Sequence, residues 1–138
     1  MKNIKKSSTR ASGKSQKSKK KEIRVQGGHY ILDFFGCNQE QLNSIKFWQE
    51  NLTKSANAAG MEILHHHFHE FTPQGITGFL LLSTSHISMH TWPEFGYVAC
   101  DVFSCSDDKD TQKAVDYLKK AISHKTCEVE YVDRGYIV

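Results

Sequence analysis

The chain has 138 residues, of which 38% are hydrophobic and 11% aromatic, a composition that suits one ordinary folded domain. Its net charge of +3 is unevenly distributed, because residues 1–25 carry ten Lys or Arg against one acidic residue, whereas the rest carries a net charge of about −6. No apolar stretch approaches the roughly 20 residues that cross a bilayer, which excludes a membrane-spanning helix and leaves a water-soluble domain as the expectation.

Residues 1–25 form a basic tail, rich in Lys and Ser and almost free of large apolar side chains. Such a segment cannot bury enough surface to offset the entropy of ordering it, so we expect it to be disordered. Its charge fits contact with nucleic acid or another acidic partner, and equally a solvated extension. The folded domain is therefore expected over residues 26–138.

A strand and a helix are predicted first. After a break at Gly27-Gly28, residues 29–35 alternate in polarity and are rich in β-forming residues, which predicts a strand. One helix follows, with Asn38 as its N-cap and Gly60 at its end. Its apolar face comprises Leu42, Ile45, Trp48, Leu52 and Ala56.

Four strands, a second helix and a last strand complete the predicted order βαββββαβ. The strands span residues 61–71, 75–83, 85–91 and 96–103, and Met61, Ile63 and His65 are expected on one face of the first of them. The helix after Asp108 buries Ala114, Leu118, Ala121 and Ile122, and residues 127–132 form the last strand. This order predicts an α+β fold: a two-layer sandwich of a mostly antiparallel sheet and two long helices on one face, with the other face left for a ligand or partner.

Residues 83–94 hold the densest set of reactive side chains, with hydroxyls, two imidazoles, an indole and a carboxylate. On a strand, Ser88, His90 and Trp92 share one face, and Ser85 lies on the other unless the strand kinks. A bulge or turn is therefore expected near Ser85. Taken alone, the pattern also fits an ordinary polar strand, because it lacks the G-x-S-x-G spacing of a nucleophile elbow.

The cysteine and histidine patterns indicate neither disulfides nor a metal site. The chain has four cysteines but neither a C-x-x-C pair nor a recognisable signal peptide. We therefore expect the cysteines to be free thiols in the reducing cytoplasm. The four histidines within residues 65–69 point alternately to opposite faces of a strand, and no Cys or carboxylate set completes a four-ligand site. A Ser/His/Asp hydrolase using Asp101 is compatible with the residue types but has no motif.

Several separated motifs resemble those of the bacterial and archaeal S-adenosylmethionine decarboxylase proenzymes, which depend on a pyruvoyl group. The likeness runs from about Gly28 to Gly135 and rests on residues 28–33, 36–37, 58–61, 69–75, 83–94 and 100–105. In that family a serine attacks the preceding peptide carbonyl, and elimination from the resulting ester leaves an N-terminal pyruvoyl group. The resemblance implies cleavage between Thr84 and Ser85, into a β chain of residues 1–84 and an α chain of residues 85–138.

The resemblance also implies roles for individual residues. Ser85 is the pyruvoyl precursor, whose carbonyl forms a Schiff base with the substrate's amino group. His90 is the proton acceptor in processing and Cys105 the proton donor to the substrate's α-carbon. Phe71 and Glu94 bind the adenine and the ribose of S-adenosylmethionine. An (αβ)₂ homodimer is implied, with Phe71 reaching the second copy's site, and the product supplies the aminopropyl group for spermidine and other polyamines.

Thr84 departs from the family pattern, which usually has Glu before the cleaved serine. The departure leaves the processing rate open and, to a lesser degree, the substrate. The closest alternative is a pyruvoyl-dependent ornithine or arginine decarboxylase on the same scaffold, against which Phe71 and Glu94 favour a nucleoside substrate. A non-catalytic partner of a decarboxylase and a nucleic-acid binder that acts through its tail are the alternatives from other classes; the presence of Ser85, His90 and Cys105 opposes the first.

Overall fold

The computed structural model describes residues 24–105 and 108–137, so nearly all of the basic tail expected over residues 1–25 lies outside the described residues. Six strands form one antiparallel sheet in the order β2-β3-β4-β5-β1-β6. The predicted α+β architecture is confirmed. The elements are β1 (Arg24–Phe35), α1 (Gln39–Leu42), α2 (Ile45–Ala58), β2 (Ile63–Glu70), β3 (Ile76–Leu82), β4 (Ser85–Trp92), β5 (Tyr97–Ser104), α3 (Asp108–Ala121) and β6 (Thr126–Ile137).

Helices α2 and α3 pack against each other and against one face of the sheet, here called the helix face. The opposite side is called the open face. Alternation along each strand divides its residues between the two faces, as the period of two requires. Buried side chains on the helix face include Leu32, Phe34, Leu80, Ile87, Met89, Val98 and Val102, which meet Trp48, Leu52, Ala114 and Leu118 from the helices.

The single helix predicted after the first strand is wrong, because two helices occupy its place. Helix α1 is capped by Asn38, whose side chain accepts a hydrogen bond from the Gln41 N–H at 3.1 Å. The chain then turns, and the Ser44 hydroxyl caps α2 by accepting from the Phe47 N–H at 3.1 Å. The apolar pattern hid the break because Leu42 is buried on the same side as the α2 core residues.

The break predicted at Gly27-Gly28 is also wrong, since both glycines lie within β1. A Cβ on Gly27 would lie 2.8 Å from the Phe103 ring, and one on Gly28 would lie 2.8 Å from the Tyr131 hydroxyl. Here glycine allows aromatic side chains of the two neighbouring strands to cross the backbone closely.

Strand β2 contains an irregularity that the alternating pattern did not predict. Its register with β3 shifts between Ile63 and His65, so Ile63 pairs with Leu82 and His65 with Leu81. A β-bulge of this kind sends the residues on its two sides to opposite faces. The expectation that Ile63 and His65 share a face is therefore wrong.

Helix α3 follows its predicted pattern closely. Ala114, Leu118 and Ile122 are buried as expected, and Val115 and Thr111 are buried as well. Ala121 is only half-buried. Neither this helix nor any other in the described part of the chain is long and apolar enough to cross a membrane.

Candidate active site

Strand β4 carries candidate residues at both of its ends. Ser85 opens the strand opposite Ser104, and Trp92 ends it opposite Tyr97. Because a strand rises about 3.3 Å per residue, Ser85 and His90 are about 17 Å apart along the strand. We call the part formed by Thr84, Ser85, Ser104 and Cys105 the serine end, and the part formed by Phe71, His90, Trp92, Glu94 and Tyr97 the aromatic end.

The alternation predicted along β4 is confirmed. Ser85 is buried on the helix face, whereas His90 and Trp92 point to the open face. The turn expected near Ser85 is the bend at Ser83-Thr84 that connects β3 to β4. The expected nucleophile therefore begins a strand directly after a change in chain direction.

At the serine end, a hydroxyl lies beside the peptide carbonyl that precedes it. The Ser85 Oγ donates a hydrogen bond to the Ser104 Oγ at 2.8 Å and lies 3.2 Å from the Thr84 Oγ1. The Cys105 N–H donates to the Thr84 carbonyl oxygen at 3.4 Å. An N–H aimed at a carbonyl oxygen polarises it and stabilises negative charge that develops there during an attack on the carbonyl carbon.

Cys105 differs from the other three cysteines in its surroundings. All four are free thiols, and Cys105 is the exposed one. Burial, with a smaller contribution from Cys127, raises the pKa of Cys37 to about 11, and burial likewise raises the pKa of Cys100. Cys105 is thus the thiol best placed to exchange a proton with a bound molecule.

At the aromatic end, a row of rings crosses the open face. The His90 ring lies 6.2 Å from that of Trp92, Trp92 stacks on Tyr97 at 5.2 Å, and Tyr97 stacks on Phe35 at 5.3 Å. The His90 Nδ1 lies 2.9 Å from the Thr77 hydroxyl oxygen, which fixes the orientation of the imidazole. Such a row offers flat apolar surface to a planar or cationic ligand.

Phe71 and Glu94 lie in two neighbouring connections at this same end. The Phe71 ring is 49% exposed, and its N–H donates to the Gly75 carbonyl at 2.8 Å. Glu94 is exposed within the short 3-10 helix Pro93–Phe95. Nearby, the Thr91 hydroxyl links β4 to β3 and α1, because it accepts from the Ile76 N–H and donates to the Leu42 carbonyl, each at 2.9 Å.

The sequence model of the S-adenosylmethionine decarboxylase family matches residues 28–135 of the chain. The chain belongs to this family. S-adenosylmethionine decarboxylase proenzymes of Clostridium botulinum (strain Loch Maree) and Carboxydothermus hydrogenoformans are each 42% identical to it, over 83% and 81% of this chain and 99% and 88% of theirs. The crystal structure of the adenosylmethionine decarboxylase from Aquifex aeolicus has a TM-score of 0.78 at 29% identity, covering 84% of this chain and 96% of that one. The resemblance stated from the motifs is confirmed.

In this member of the family, the open face also carries a polar network that the sequence did not reveal. The Asp101 Oδ2 accepts hydrogen bonds from the Nε2 atoms of His29 at 2.6 Å and His86 at 3.0 Å, and Ser88 donates to the other carboxylate oxygen. Burial raises the pKa of Asp101, but the hydrogen bonds from Ser88, His29 and His86 outweigh it and bring this pKa below its ordinary value.

Arg134 settles where the proton of His29 lies. Its Nη1 is 3.2 Å from the His29 Nδ1, and because a guanidinium only donates, this nitrogen accepts. The proton of the neutral imidazole is therefore on Nε2, where it points to Asp101. The atoms of His29, His86 and Asp101 that could bind a metal ion lie within 4.8 Å of one another. However, the His29 Nε2 carries a proton and so has no lone pair to offer to a cation.

Sequence reasoning missed this network because its members come from four strands and are separated by up to 105 residues. The one local signal was the alternation of His86 with Ser88 on the open face. The histidines of residues 65–69, which drew attention instead, lie along the sheet-edge strand β2. Within the part of the chain that the structure describes, they do not belong to any group of three or more His, Cys, Asp or Glu side chains whose ligand atoms lie close enough to bind one metal ion.

Proposed function

We propose that this protein is a self-cleaving, pyruvoyl-dependent decarboxylase of S-adenosylmethionine, whose product supplies the aminopropyl group for spermidine and other polyamines. The observation that carries the proposal is the serine end. There, the Ser85 hydroxyl is held by Ser104, the Cys105 N–H binds the carbonyl of the preceding Thr84, and Cys105 is an exposed free cysteine. Membership of the family and relatives of 42% identity support the choice of substrate.

Self-cleavage begins when the Ser85 Oγ attacks the Thr84 carbonyl carbon. The new C–O bond replaces the C–N bond to Ser85, which leaves an ester and a free amino group, and the Cys105 N–H stabilises the negative charge on the oxygen during the attack. Removal of the α-proton of residue 85, with His90 as the proposed acceptor, expels the Thr84 carboxylate together with Oγ. Water then displaces ammonia, so that residue 85 ends as a pyruvoyl group and the products are residues 1–84 and 85–138.

The serine end fits such a group. The Thr84–Ser85 peptide bond lies at the junction of a bend and β4, so its cleavage divides neither a strand nor a helix. A pyruvoyl group supplies an electron-accepting carbonyl that assists the loss of carbon dioxide from an α-amino acid. Cys105, at the end of the neighbouring strand, is the proposed donor of the proton that replaces the carboxylate.

A homodimer of αβ units completes this proposal. Because Ser85 and His90 lie about 17 Å apart within one copy, His90 reaches a serine only from a second copy. Packing the open faces together, with the strands in opposite directions, brings the aromatic end of each copy to the serine end of the other. Exposed apolar side chains on the open face support this packing: Phe79 is 38% exposed and Leu81 46%.

The aromatic end is the proposed nucleoside site. Phe71 stacks on the adenine, and the Glu94 carboxylate accepts hydrogen bonds from the ribose hydroxyls. The stacked rings of Trp92 and Tyr97 suit a sulfonium cation. An ornithine or arginine decarboxylase, the alternative on this scaffold, has no use for an adenine platform, so these exposed rings favour S-adenosylmethionine.

The basic tail has a separate proposed role. Residues 1–25 are proposed to contact an acidic partner such as nucleic acid, and the enzyme is proposed to work in the cytoplasm, where its thiols stay reduced. Deleting residues 1–23 is expected to leave cleavage and decarboxylation unchanged while removing salt-dependent binding to nucleic acid. A tail deletion that abolishes both activities would contradict this separation.

The test of the proposed function combines mass spectrometry with a substrate comparison. Freshly purified protein is expected to show two masses that meet at Thr84 and Ser85, the smaller of them without an ordinary amino terminus. Carbon dioxide release is then measured with S-adenosylmethionine, arginine and ornithine. A single uncleaved mass refutes the proposal, and turnover of arginine or ornithine alone selects the alternative.

A further inference from the structure

The partner of the Ser85 hydroxyl is a second serine that the proposed chemistry leaves without a role. Ser104 lies directly opposite Ser85 in the β4–β5 ladder and is 1% exposed. Its Oγ is 2.8 Å from the Ser85 Oγ, and Ser85 is the donor. We infer that Ser104 is a positioning residue for self-cleavage at Ser85, an inference that rests on the proposed function.

The hydrogen bonds at this site have a definite direction. A serine hydroxyl carries one proton, and that of Ser85 is directed to Ser104. The Thr84 Oγ1 lies 3.2 Å from the same Ser85 oxygen. Ser104 is therefore the acceptor of the hydrogen bond that the nucleophile donates.

Ser104 therefore acts directly on the nucleophile. By accepting a hydrogen bond from the Ser85 hydroxyl, Ser104 raises the electron density on the attacking oxygen and keeps the Ser85 side chain in one rotamer. Loss of the Ser104 hydroxyl should slow the attack on the Thr84 carbonyl.

A matched pair of variants isolates the Ser104 hydroxyl. Thr and Val have nearly the same shape, so Ser104→Thr and Ser104→Val place the same additional bulk at this buried position and differ in the hydroxyl group. The full-length proenzymes are produced by cell-free synthesis, and the appearance of the 85–138 fragment is followed by intact mass. Ser104→Val is expected to cleave at least about tenfold more slowly than Ser104→Thr, since misorientation of a nucleophile costs rate in this range.

Two further variants complete the comparison. Ser104→Ala removes the hydroxyl without additional bulk and is expected to be slow, which keeps the test decisive if the larger side chains prevent folding. Ser55→Ala removes another buried hydroxyl, which donates to the Leu52 carbonyl in α2 at 2.7 Å, and should cleave within about twofold of wild type.

Hydroxylamine gives a readout of the first step alone. It cuts the ester to give a residue 1–84 hydroxamate and an 85–138 chain that begins with Ser85, so its yield reports the attack separately from the elimination. Ser104→Val should form less of this ester. Equal cleavage rates in Ser104→Val and Ser104→Thr, or in Ser104→Ala and wild type, overturn the inference while leaving the proposed function intact; a wild-type chain that never cleaves overturns both.

Discussion

The two ends of β4 contain different kinds of chemical group. At the serine end, Ser85 is held by Ser104, and the Thr84 carbonyl receives the Cys105 N–H. The aromatic end instead consists of stacked rings and exposed loop residues. Backbone and short hydroxyl side chains hold reacting atoms within narrow limits, whereas rings and loops provide area for recognition. The comparison teaches that about 17 Å of strand separates the Ser85 hydroxyl from His90 and the stacked rings beside it.

Replacing the nucleophile should produce the largest effect. Ser85→Ala is expected to abolish chain cleavage, because it removes the hydroxyl that is proposed to attack the Thr84 carbonyl carbon. Intact mass gives the result directly. Ser83→Ala, a change in the preceding bend, is the control and should cleave normally. A Ser85→Ala chain that still cleaves would mean that Ser85 is not the nucleophile.

Mixing two inactive chains tests whether the ends of different copies cooperate. Neither Ser85→Ala nor His90→Ala should cleave alone. Co-expression pairs the intact serine end of the His90→Ala chain with the intact His90 of the other, so on the order of half of the His90→Ala chains should be cut if pairing is random. Two masses from the His90→Ala chain would be seen. Failure to rescue any cleavage would mean that the two ends do not meet across a dimer.

Removing the Cys105 thiol should separate the two reactions of the serine end. Cys105→Ala keeps the backbone N–H that binds the Thr84 carbonyl, so cleavage should persist. Its kcat should fall by about 10² to 10⁴, the usual contribution of a positioned proton donor, as measured by carbon dioxide release. Cys127→Ala serves as the thiol control. A kcat within threefold of wild type would exclude Cys105 as the donor.

Changes at the proposed nucleoside site, Phe71 and Glu94, should weaken substrate binding more than turnover. Phe71→Ala is expected to lower kcat/KM by about 5- to 150-fold, the equivalent of about 1–3 kcal/mol for a lost base–aromatic stack. Glu94→Gln should have a smaller effect in the same direction, and both variants should still cleave. Phe95→Ala, which removes a 73% exposed ring from the same 3-10 helix, is the control. Equal losses in Phe95→Ala and Phe71→Ala would argue against a specific stack.

The smallest effect is expected at the open-face network between the two ends. Asp101→Asn should lower the free energy of unfolding by about 1–3 kcal/mol at pH 6, since charged hydrogen bonds to His29, His86 and Ser88 are lost. The folded pKa of Asp101 is lowered from 3.8, so its contribution is present above that pH and is lost as the pH falls through the folded value. Urea unfolding at pH 6 and pH 3 should therefore show a smaller difference at pH 3.

An exposed carboxylate provides the control for this pH comparison. Asp116→Asn, on the solvent side of α3, should change stability by less than about 0.5 kcal/mol at either pH. An Asp101→Asn protein as stable as wild type at pH 6 would mean that the network does not stabilise the monomer fold.

Local patterns predicted much of the fold and failed at specific places. Burial alternates along β4 and β5 as expected, and most of the core positions predicted in α3 are buried. Both patterns can be predicted because they repeat every 2 or 3.6 residues along the sequence. The helix break at Ser44 and the bulge after Ile63 were missed, since each keeps the apolar pattern continuous while changing the backbone. The β1 glycines were misread because the rings they accommodate lie on other strands.

The sequence by itself determined the family, the α+β class and the candidates Ser85, His90 and Cys105. Motif order and local periodicity can be recognised from the linear sequence without knowledge of tertiary contacts. Tertiary structure alone decided how these residues are distributed. Strand register placed Ser104 against Ser85, brought His29 to Asp101 and put the full length of β4 between the two ends. Those relations depend on strand order and pairing, which join residues that are distant along the chain.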